Sequence, residues 1–367
     1  MRLDNLHLVN FKSYAQADVT FRGQMHCFLG PNGGGKTNLL EAIHFLSLTR
    51  GFSGGSDSEF VRHGADHFHI RGKFLMGNAA KEVAVSYSHD RKKVSEDGKD
   101  YSRFSEHIGK YPVVMVAPAD IELVWDGGEV RRKFFDTLLA QLDRAYLEQL
   151  GIYHRYLRQR NSLLRMQTVP MQIDRELLAT YDEGLVRSAA FIHARRGELV
   201  RQIAPQVIAH YKYLVDGNEE SPGIEYSSQL NELDFGKELN LRLERDAALG
   251  RTTVGIHRDD FVFTLRGHPM KSYGSQGQQK SFLIAIKLCE FDCLTAHNVF
   301  KPLLLLDDIF DKLDDQRIVQ LMKLISRGTF GQIFITDARP ARSMELLEKA
   351  LVEPQIMRVE GGSVSVA

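Results

Sequence analysis

The apolar run Met25-His26-Cys27-Phe28-Leu29 leads directly into Gly30-Pro31-Asn32-Gly33-Gly34-Gly35-Lys36-Thr37, and a helical pattern carrying Leu39, Leu40, Ile43 and Leu46 follows. This is the spacing G-x-x-x-x-G-K-[ST] in a strand–loop–helix context. Each residue type has a chemical reason. Glycines let successive backbone N–H groups curl round an anion without a side-chain clash, and the following helix presents its positive N-terminal end. Lys36 is placed to reach β- and γ-phosphates, and the Thr37 hydroxyl to bind Mg²⁺. A glycine-rich turn with an incidental lysine would need neither the strand nor the helix. The stretch predicts an α/β fold with residues Gly30 to Thr37 as a nucleoside triphosphate site.

A second strand, Leu303-Leu304-Leu305-Leu306, ends in Asp307-Asp308. In a phosphate-loop fold such a strand is expected beside Met25–Leu29, with Asp307 holding the metal and Asp308 acting as the base that activates water. The subclass is decided by Tyr273-Gly274-Ser275-Gln276-Gly277-Gln278-Gln279-Lys280, which opens a helix; Ser275 precedes Asp307 by 307 − 275 = 32 residues. A Ser-x-Gly-Gln turn at a helix start offers a hydroxyl, backbone N–H groups and a helix dipole, which together suit a terminal phosphate. The plainer alternative is a helix simply capped by Ser275. The phosphate at Lys36 already has its own loop. A phosphate-binding turn here, made by Ser275, Gln276, Gly277 and Gln278, is therefore expected to close the nucleotide of a second copy of the chain.

The 367 residues suggest two or three domains. Hydrophobic residues at 43% against charged residues at 26% exclude a disordered or collagen-like chain. A chain of this length buries about 75% of its unfolded surface, so it needs no disulfide or metal to hold a core. Lys+Arg 47 balances Asp+Glu 47, which argues against a nucleic-acid partner held by bulk charge. Any such partner must be met by a local basic patch or by several copies. The start MRLDNLHLVN has no apolar h-region, and the three cysteines, Cys27, Cys289 and Cys293, are odd in number. A reduced, cytoplasmic protein is expected. Cys289 and Cys293 lie four apart, but no His or Cys cluster completes a metal site around them, so they are expected to be buried thiols. The longest apolar run, Leu303 to Leu306, is far too short for a bilayer, and no membrane is expected.

Leu3, Leu6, Leu8, Val19 and Phe21 alternate as in a sheet edge, and Phe68–Phe74, Val83–Tyr87 and Val113–Val116 read as short strands. From about residue 129 the period becomes helical, through Phe135, Leu138, Leu139, Leu142, Tyr146, Leu150, Tyr153 and Leu157. A second helical pattern runs from Leu177 to Ile203. Each would make a rod of some 30–35 residues, about 50 Å long. Residues 216–223, DGNEESPG, read as a loop. Strand texture returns near Thr252, at Asp260–Leu265, at Pro302–Leu306 and at Gln332–Thr336. The chain is thus expected to be an α/β body built from residues 1–125 and 246–367, with a mostly helical piece, 126–245, inserted. That piece carries arginines at 155, 158, 160, 165, 187, 195, 196 and 201. A solvated charged face is their ordinary explanation. If two copies pair, such patches double and form a phosphate-binding surface, for which Arg158, Arg195 and Arg196 are the candidates.

Taken in this order, the three motifs resemble the ATP-binding cassette head of SMC-like ATPases, with SQGQ for LSGGQ. More narrowly, the chain resembles the RecF family over nearly its whole length. NFKSY at 10–14, PNGGGKTNLLEAIHFLS at 31–47 and APADIELVWDGGEVRRKFFD at 117–136, with Arg131, Arg132 and Asp136, carry the likeness. So do GIHRDDF at 255–261, SQGQQKS at 275–281 and LLLDDIFDKLDDQR at 304–317. Three departures stand out. Asp311-Lys312-Leu313-Asp314 replaces the usual Ser-Glu-Leu-Asp of a dimer-facing loop, and Ala117-Pro118-Ala119 replaces Ser-Pro-Glu. No histidine follows the last strand, so Thr336 or Asp337 is left as phosphate sensor.

The resemblance implies a P-loop, ABC-type ATPase head with a helical insertion, which uses ATP and Mg²⁺ and dimerises on ATP. It implies binding to single-stranded, double-stranded and gapped DNA, and action with RecO and RecR in helping RecA load. The same motifs leave open the nucleotide-binding subunit of a transporter, a small-molecule kinase, and an ATP-gated clamp with negligible turnover.

Overall fold

The computed structural model describes residues 1–166, 174–215, 220–309, 315–349 and 353–366. The chain forms two compact units: Met1–Ile121 with His210–Asn218 and Ser275–Ala367, and Glu122–Ala209 with Glu219–Gly274. The departure at 311–314 lies outside the described residues, as does the first half of the loop expected at 216–223. Pro222 and Gly223, at the end of that stretch, begin a strand.

The first unit contains two sheets. In one, the order is Ser363–Val366, Gln355–Glu360, Met25–Leu29, Ile333–Asp337, Leu303–Leu306, Val113–Val116. All its pairings are parallel except the hairpin Gln355–Glu360/Ser363–Val366. Met25–Leu29 and Leu303–Leu306 are buried at every position, as a parallel sheet covered on both faces requires. The expectation that Leu303–Leu306 adjoins Met25–Leu29 is corrected: Ile333–Asp337 runs between them, pairing Ile335 with Cys27 on one side and with Leu306 on the other.

The second sheet is antiparallel, in the order Tyr14–Thr20, Arg2–Phe11, His67–Met76, Ala79–Ser88, Arg91–Glu96, Lys99–Asp100. Its inner face alternates Leu6, Leu8, Phe68, Ile70, Phe74, Val83 and Val85, all fully buried. The helix Lys36–Leu48 packs against both sheets, so it is apolar nearly all round, and its buried Glu41 and His44 are satisfied by Ser53 and by the carbonyl of Arg50. Cys27, Cys289 and Cys293 are buried thiols.

The second unit holds the helices Gly128–Leu142 and Arg144–Met166, most of the 40-residue helix Arg175–Leu214, and a small sheet of Pro222–Ser227, Asp260–Leu265 and His268–Pro269. The first helical pattern is thus two helices. The break is at Asp143, which leaves helical geometry and accepts a hydrogen bond from Tyr146 N. The inserted piece was expected to end at 245, but residues 246–274 belong to the second unit. Asp260–Leu265 pairs with Pro222–Ser227, and Phe261 stacks on Phe135 with ring centroids 4.0 Å apart. The strand expected near Thr252 is not formed. Thr252 instead serves a polar cluster, donating to Asn161 Oδ1 and accepting from Arg160.

Two arginines expected on a charged surface are core groups of this unit. Arg160 is 0% exposed and bridges Asp182 (Nε–Oδ1 2.7 Å) and Asp246 (Nη1–Oδ2 2.7 Å). Arg196 is 2% exposed and bridges Asp136 and Asp259 at 3.0 Å each, with a further bond to Ile256 O. Burial pushes the carboxyls of Asp182 and Asp259 above the ordinary range, and their arginines pull them back. Removing one partner of such a cluster strands the others without water. Arg160→Leu should therefore cost about 3–5 kcal/mol in urea unfolding, whereas Arg158→Leu, on the exposed side of the same helix, should stay within about 0.5 kcal/mol.

Candidate nucleotide site

The turn from Met25–Leu29 into Lys36–Leu48 depends on two left-handed glycines, Gly33 at φ +77° and Gly35 at φ +110°. An L side chain rarely adopts either value. Pro31, Asn32 and Gly33 are exposed at the tip, while Gly34, Gly35 and Lys36 are buried. No acid occupies the first turn of the helix, so its positive end is left uncompensated. Lys36 Nζ donates to Gly30 O (2.9 Å) and Pro31 O (3.0 Å), spanning the mouth of the loop. An ammonium held by two carbonyls of the loop itself is poised to exchange them for phosphate oxygens.

Thr37 Oγ1 donates to Asp307 Oδ1 at 2.9 Å, which joins the phosphate-loop helix to the end of Leu303–Leu306. The intervening strand supplies the connection. Thr336 Oγ1 donates to the same Asp307 Oδ1 at 2.7 Å and accepts from Asp308 N at 3.0 Å. Burial pushes the Asp307 carboxyl above its usual range, while Thr336, Thr37 and the charge of Lys36 pull it down. A hydroxyl beside a desolvated carboxylate is a hard-oxygen pair, and its chemistry fits Mg²⁺. Asp308 sits in the left-handed region at φ +44°, which is unusual for a residue other than glycine. Its N–H bond to Thr336 holds that turn.

The structure therefore brings Lys36, Thr37, Asp307, Asp308 and Thr336 together. Asp337 is buried on the same strand, with Oδ1 accepting from Ala338 N; Thr336 is the member of the pair that reaches Asp307.

The turn at Ser275 is a full capping box: Ser275 Oγ accepts from Gln278 N, and Gln278 Oε1 accepts from Ser275 N at 2.7 Å. Ser275 and Gln276 are exposed, and the first turn of Gln276–His297 carries no acid. Arg317 covers Gly277, where an added Cβ would lie 3.1 Å from Nη1, and donates from Nε to Ser281 Oγ at 2.5 Å. The sequence quoted Arg317 only as the end of a run and assigned it nothing, because its partner lies 36 residues away. Tyr14 was missed in the same way: its hydroxyl donates to Gly35 O at 2.9 Å, and Asn38 Nδ2 donates to Ser13 Oγ at 2.9 Å.

Of the arginines proposed for a nucleic-acid surface, Arg158 is exposed. Arg195 is half-buried and paired with Asp143 (3.0 Å) and Glu198 (2.5 Å). Arg196 is withdrawn from that set, because its guanidinium is consumed by Asp136 and Asp259 inside the unit.

A family model described as an AAA domain matches residues 5–161. A DNA replication and repair protein RecF from Cytophaga hutchinsonii is 38% identical over 366 residues, covering 99% of this chain and 96% of the relative. The protein of the same name from Flavobacterium johnsoniae is 38% identical over 349 residues, covering 95% and 97%. Among solved structures, one of the recombination mediator protein RecF with ATP, in the RecFOR pathway, superposes with a TM-score of 0.88 at 28% identity, covering 100% of this chain and 97% of that one. The Smc head domain of Pyrococcus furiosus, solved with an extended coiled coil and bound to the C-terminal domain of ScpA, shares the fold at a TM-score of 0.55 and 15% identity.

The hydroxyl of Thr336 serves both acids. Thr336→Val, at a fully buried position, should remove the donor to Asp307 and the acceptor for Asp308 N and cost about 1–3 kcal/mol in urea unfolding. Thr37→Val, at a half-buried position that water can reach, should cost less, about 0.5–1 kcal/mol.

Proposed function

The chain belongs to the RecF family of DNA replication and repair proteins, and from that membership we propose that it is an ATP-dependent, DNA-binding ATPase that dimerises on ATP. In this reading the unit holding the phosphate loop is the ATPase head, and the unit Glu122–Ala209 with Glu219–Gly274 is the inserted lobe. The observation that carries the reading is the hydrogen bond from Thr37 to Asp307. It ties the phosphate loop to the acidic strand, an arrangement a structural turn has no use for.

The geometry supports the following roles. Backbone N–H groups of Gly33 to Thr37 cradle the phosphates, with Gly30, Pro31, Asn32 and Gly35 shaping the loop. Lys36 leaves its two carbonyls for the phosphate oxygens. Thr37 and Asp307 would hold Mg²⁺, whose chemistry is to neutralise charge on the β- and γ-phosphates. Asp308 accepts the proton of the attacking water, and Thr336 fixes the backbone from which it works. An aspartate reaches less far than a glutamate, so hydrolysis is slow and ATP acts mainly as a timer. Ser275, Gln276, Gly277 and Gln278 close the nucleotide of the partner copy from a helix start whose first turn carries no acid.

The RecFOR pathway named for the solved relative supports action with RecO and RecR; this reading adds help in loading RecA at gapped DNA and a place in the cytoplasm. The DNA surface in this reading uses exposed arginines of the inserted lobe, Arg155 and Arg158 among them. With zero net charge on each chain, the pairing of two copies supplies the patch. Among the described residues no helix is long and apolar enough to cross a membrane.

Molecular mass in solution tests this reading, measured with and without ATP·Mg²⁺ and with duplex or gapped DNA. The native chain should become a DNA-binding dimer with ATP. Lys36→Met should remain a monomer, and Asp308→Asn should dimerise and persist as a dimer. Charge reversal at Arg155 and Arg158 should weaken DNA binding and shallow its salt slope by roughly one unit per lost phosphate contact. A chain that stays monomeric and ignores DNA under every condition would overturn the proposal.

A further inference from the structure

The phosphate loop does not stand free at its strand end. The strand Gln355–Glu360 pairs in parallel with Met25–Leu29, aligning Arg358 with Leu29, the residue before the loop. That register brings the carbonyl of Val359 against the loop itself. A Cβ on Gly30 would lie 2.0 Å from Val359 O, and one on Gly34 would lie 2.9 Å from the same atom. Neither glycine has a positive φ. Their need is for room beside a backbone carbonyl, not for an unusual conformation.

The turn that closes the hairpin continues the contact. Gly362 N donates to Gly34 O at 3.3 Å. A Cβ on Gly362 would meet Ser13 O at 2.5 Å, and one on Gly35 would meet Ser13 Oγ at 2.8 Å and Tyr14 Oη at 2.9 Å. Ser13–Tyr14 on one side and Val359–Gly362 on the other thus form a collar that touches the loop at Gly30, Gly34 and Gly35. The neighbouring Gly361 also has a positive φ, +55°, but nothing lies within 4 Å of its added Cβ.

We infer that the hairpin Gln355–Val366 positions the phosphate loop for ATP, with Val359 and Gly362 as its positioning residues. Gly362 N holds the carbonyl of Gly34 and Val359 O backs Gly30 and Gly34 from the side a Cβ would occupy, so the loop is already curled when the nucleotide arrives. A loop not held in this way must be ordered by ATP itself, and binding is weakened by that cost. The inference rests on the assignment of residues 30–37 to ATP.

The test uses the full chain and compares Gly362→Ala with Gly361→Ala. Both place alanine at a positive φ and should lower the thermal midpoint, Gly362→Ala the further because it alone also pushes against Ser13 O. Measured well below either midpoint, Gly362→Ala should bind ATP about tenfold more weakly than the native chain, while Gly361→Ala stays within about twofold. Equal affinity of the two variants overturns the inference. Amide exchange on the native chain is a second readout that needs no variant to fold. ATP·Mg²⁺ should slow exchange across 359–362, and unchanged exchange there, with ATP bound, overturns the inference while leaving the ATP assignment intact. A native chain that binds no ATP removes both.

Discussion

Asp307 Oδ1 accepts from Thr37 on the phosphate-loop helix and from Thr336 on the strand between, and the arrangement of the head depends on that shared oxygen. A carboxylate this buried is costly unless every approach to it is a donor. Two hydroxyls and the nearby Lys36 meet the condition; Lys36 and Thr37 come from the phosphate loop, and Thr336 comes from the strand Ile333–Asp337, far along the chain. The same Thr336 oxygen accepts from Asp308 N and so carries the constraint one residue further, into a left-handed turn a non-glycine residue adopts only when held. Asp307, Asp308 and the phosphate loop are thus placed by one small network, and the parallel sheet beneath it supplies the rigidity.

The residues of this network were legible in the sequence, but their connectivity was not. Gly30 to Thr37 and the Leu303–Asp308 segment stand out because local spacing and hydrophobic runs announce them. That Ile333–Asp337 runs between their strands could not be read, because strand order in a parallel sheet is set by crossovers and not by local pattern. The misplacement hid how Thr336 reaches Asp307 and Asp308, which it does because its strand pairs directly with Leu303–Leu306.

The inserted unit taught the opposite lesson. Arginines 155, 158, 160 and 165 look alike in sequence, yet Arg160 is sealed between Asp182 and Asp246 while Arg158 faces water. The acids that decide the matter are 22 and 86 residues away. Periodicity did register Phe135, Leu138 and Leu139 as core, because apolar burial repeats along a helix. Buried ion clusters do not repeat, so a charge count cannot separate a structural guanidinium from one available to a phosphate. The guanidinium groups this unit offers to solvent are accordingly fewer than the arginine count suggests.

The glycines of the phosphate loop show how a single motif can combine unrelated constraints. Gly33 and Gly35 answer to backbone conformation, which any chain making this turn must meet. Gly30 and Gly34 answer to the carbonyl of Val359, more than 300 residues further along, which leaves no room for a Cβ. A loop that satisfied only the first pair could curl but would have nothing to lean on. One that satisfied only the second could pack against the hairpin but would not present its N–H groups inward. The spacing is specific to this site because both conditions must hold in the same eight residues, and only one of them concerns the anion directly.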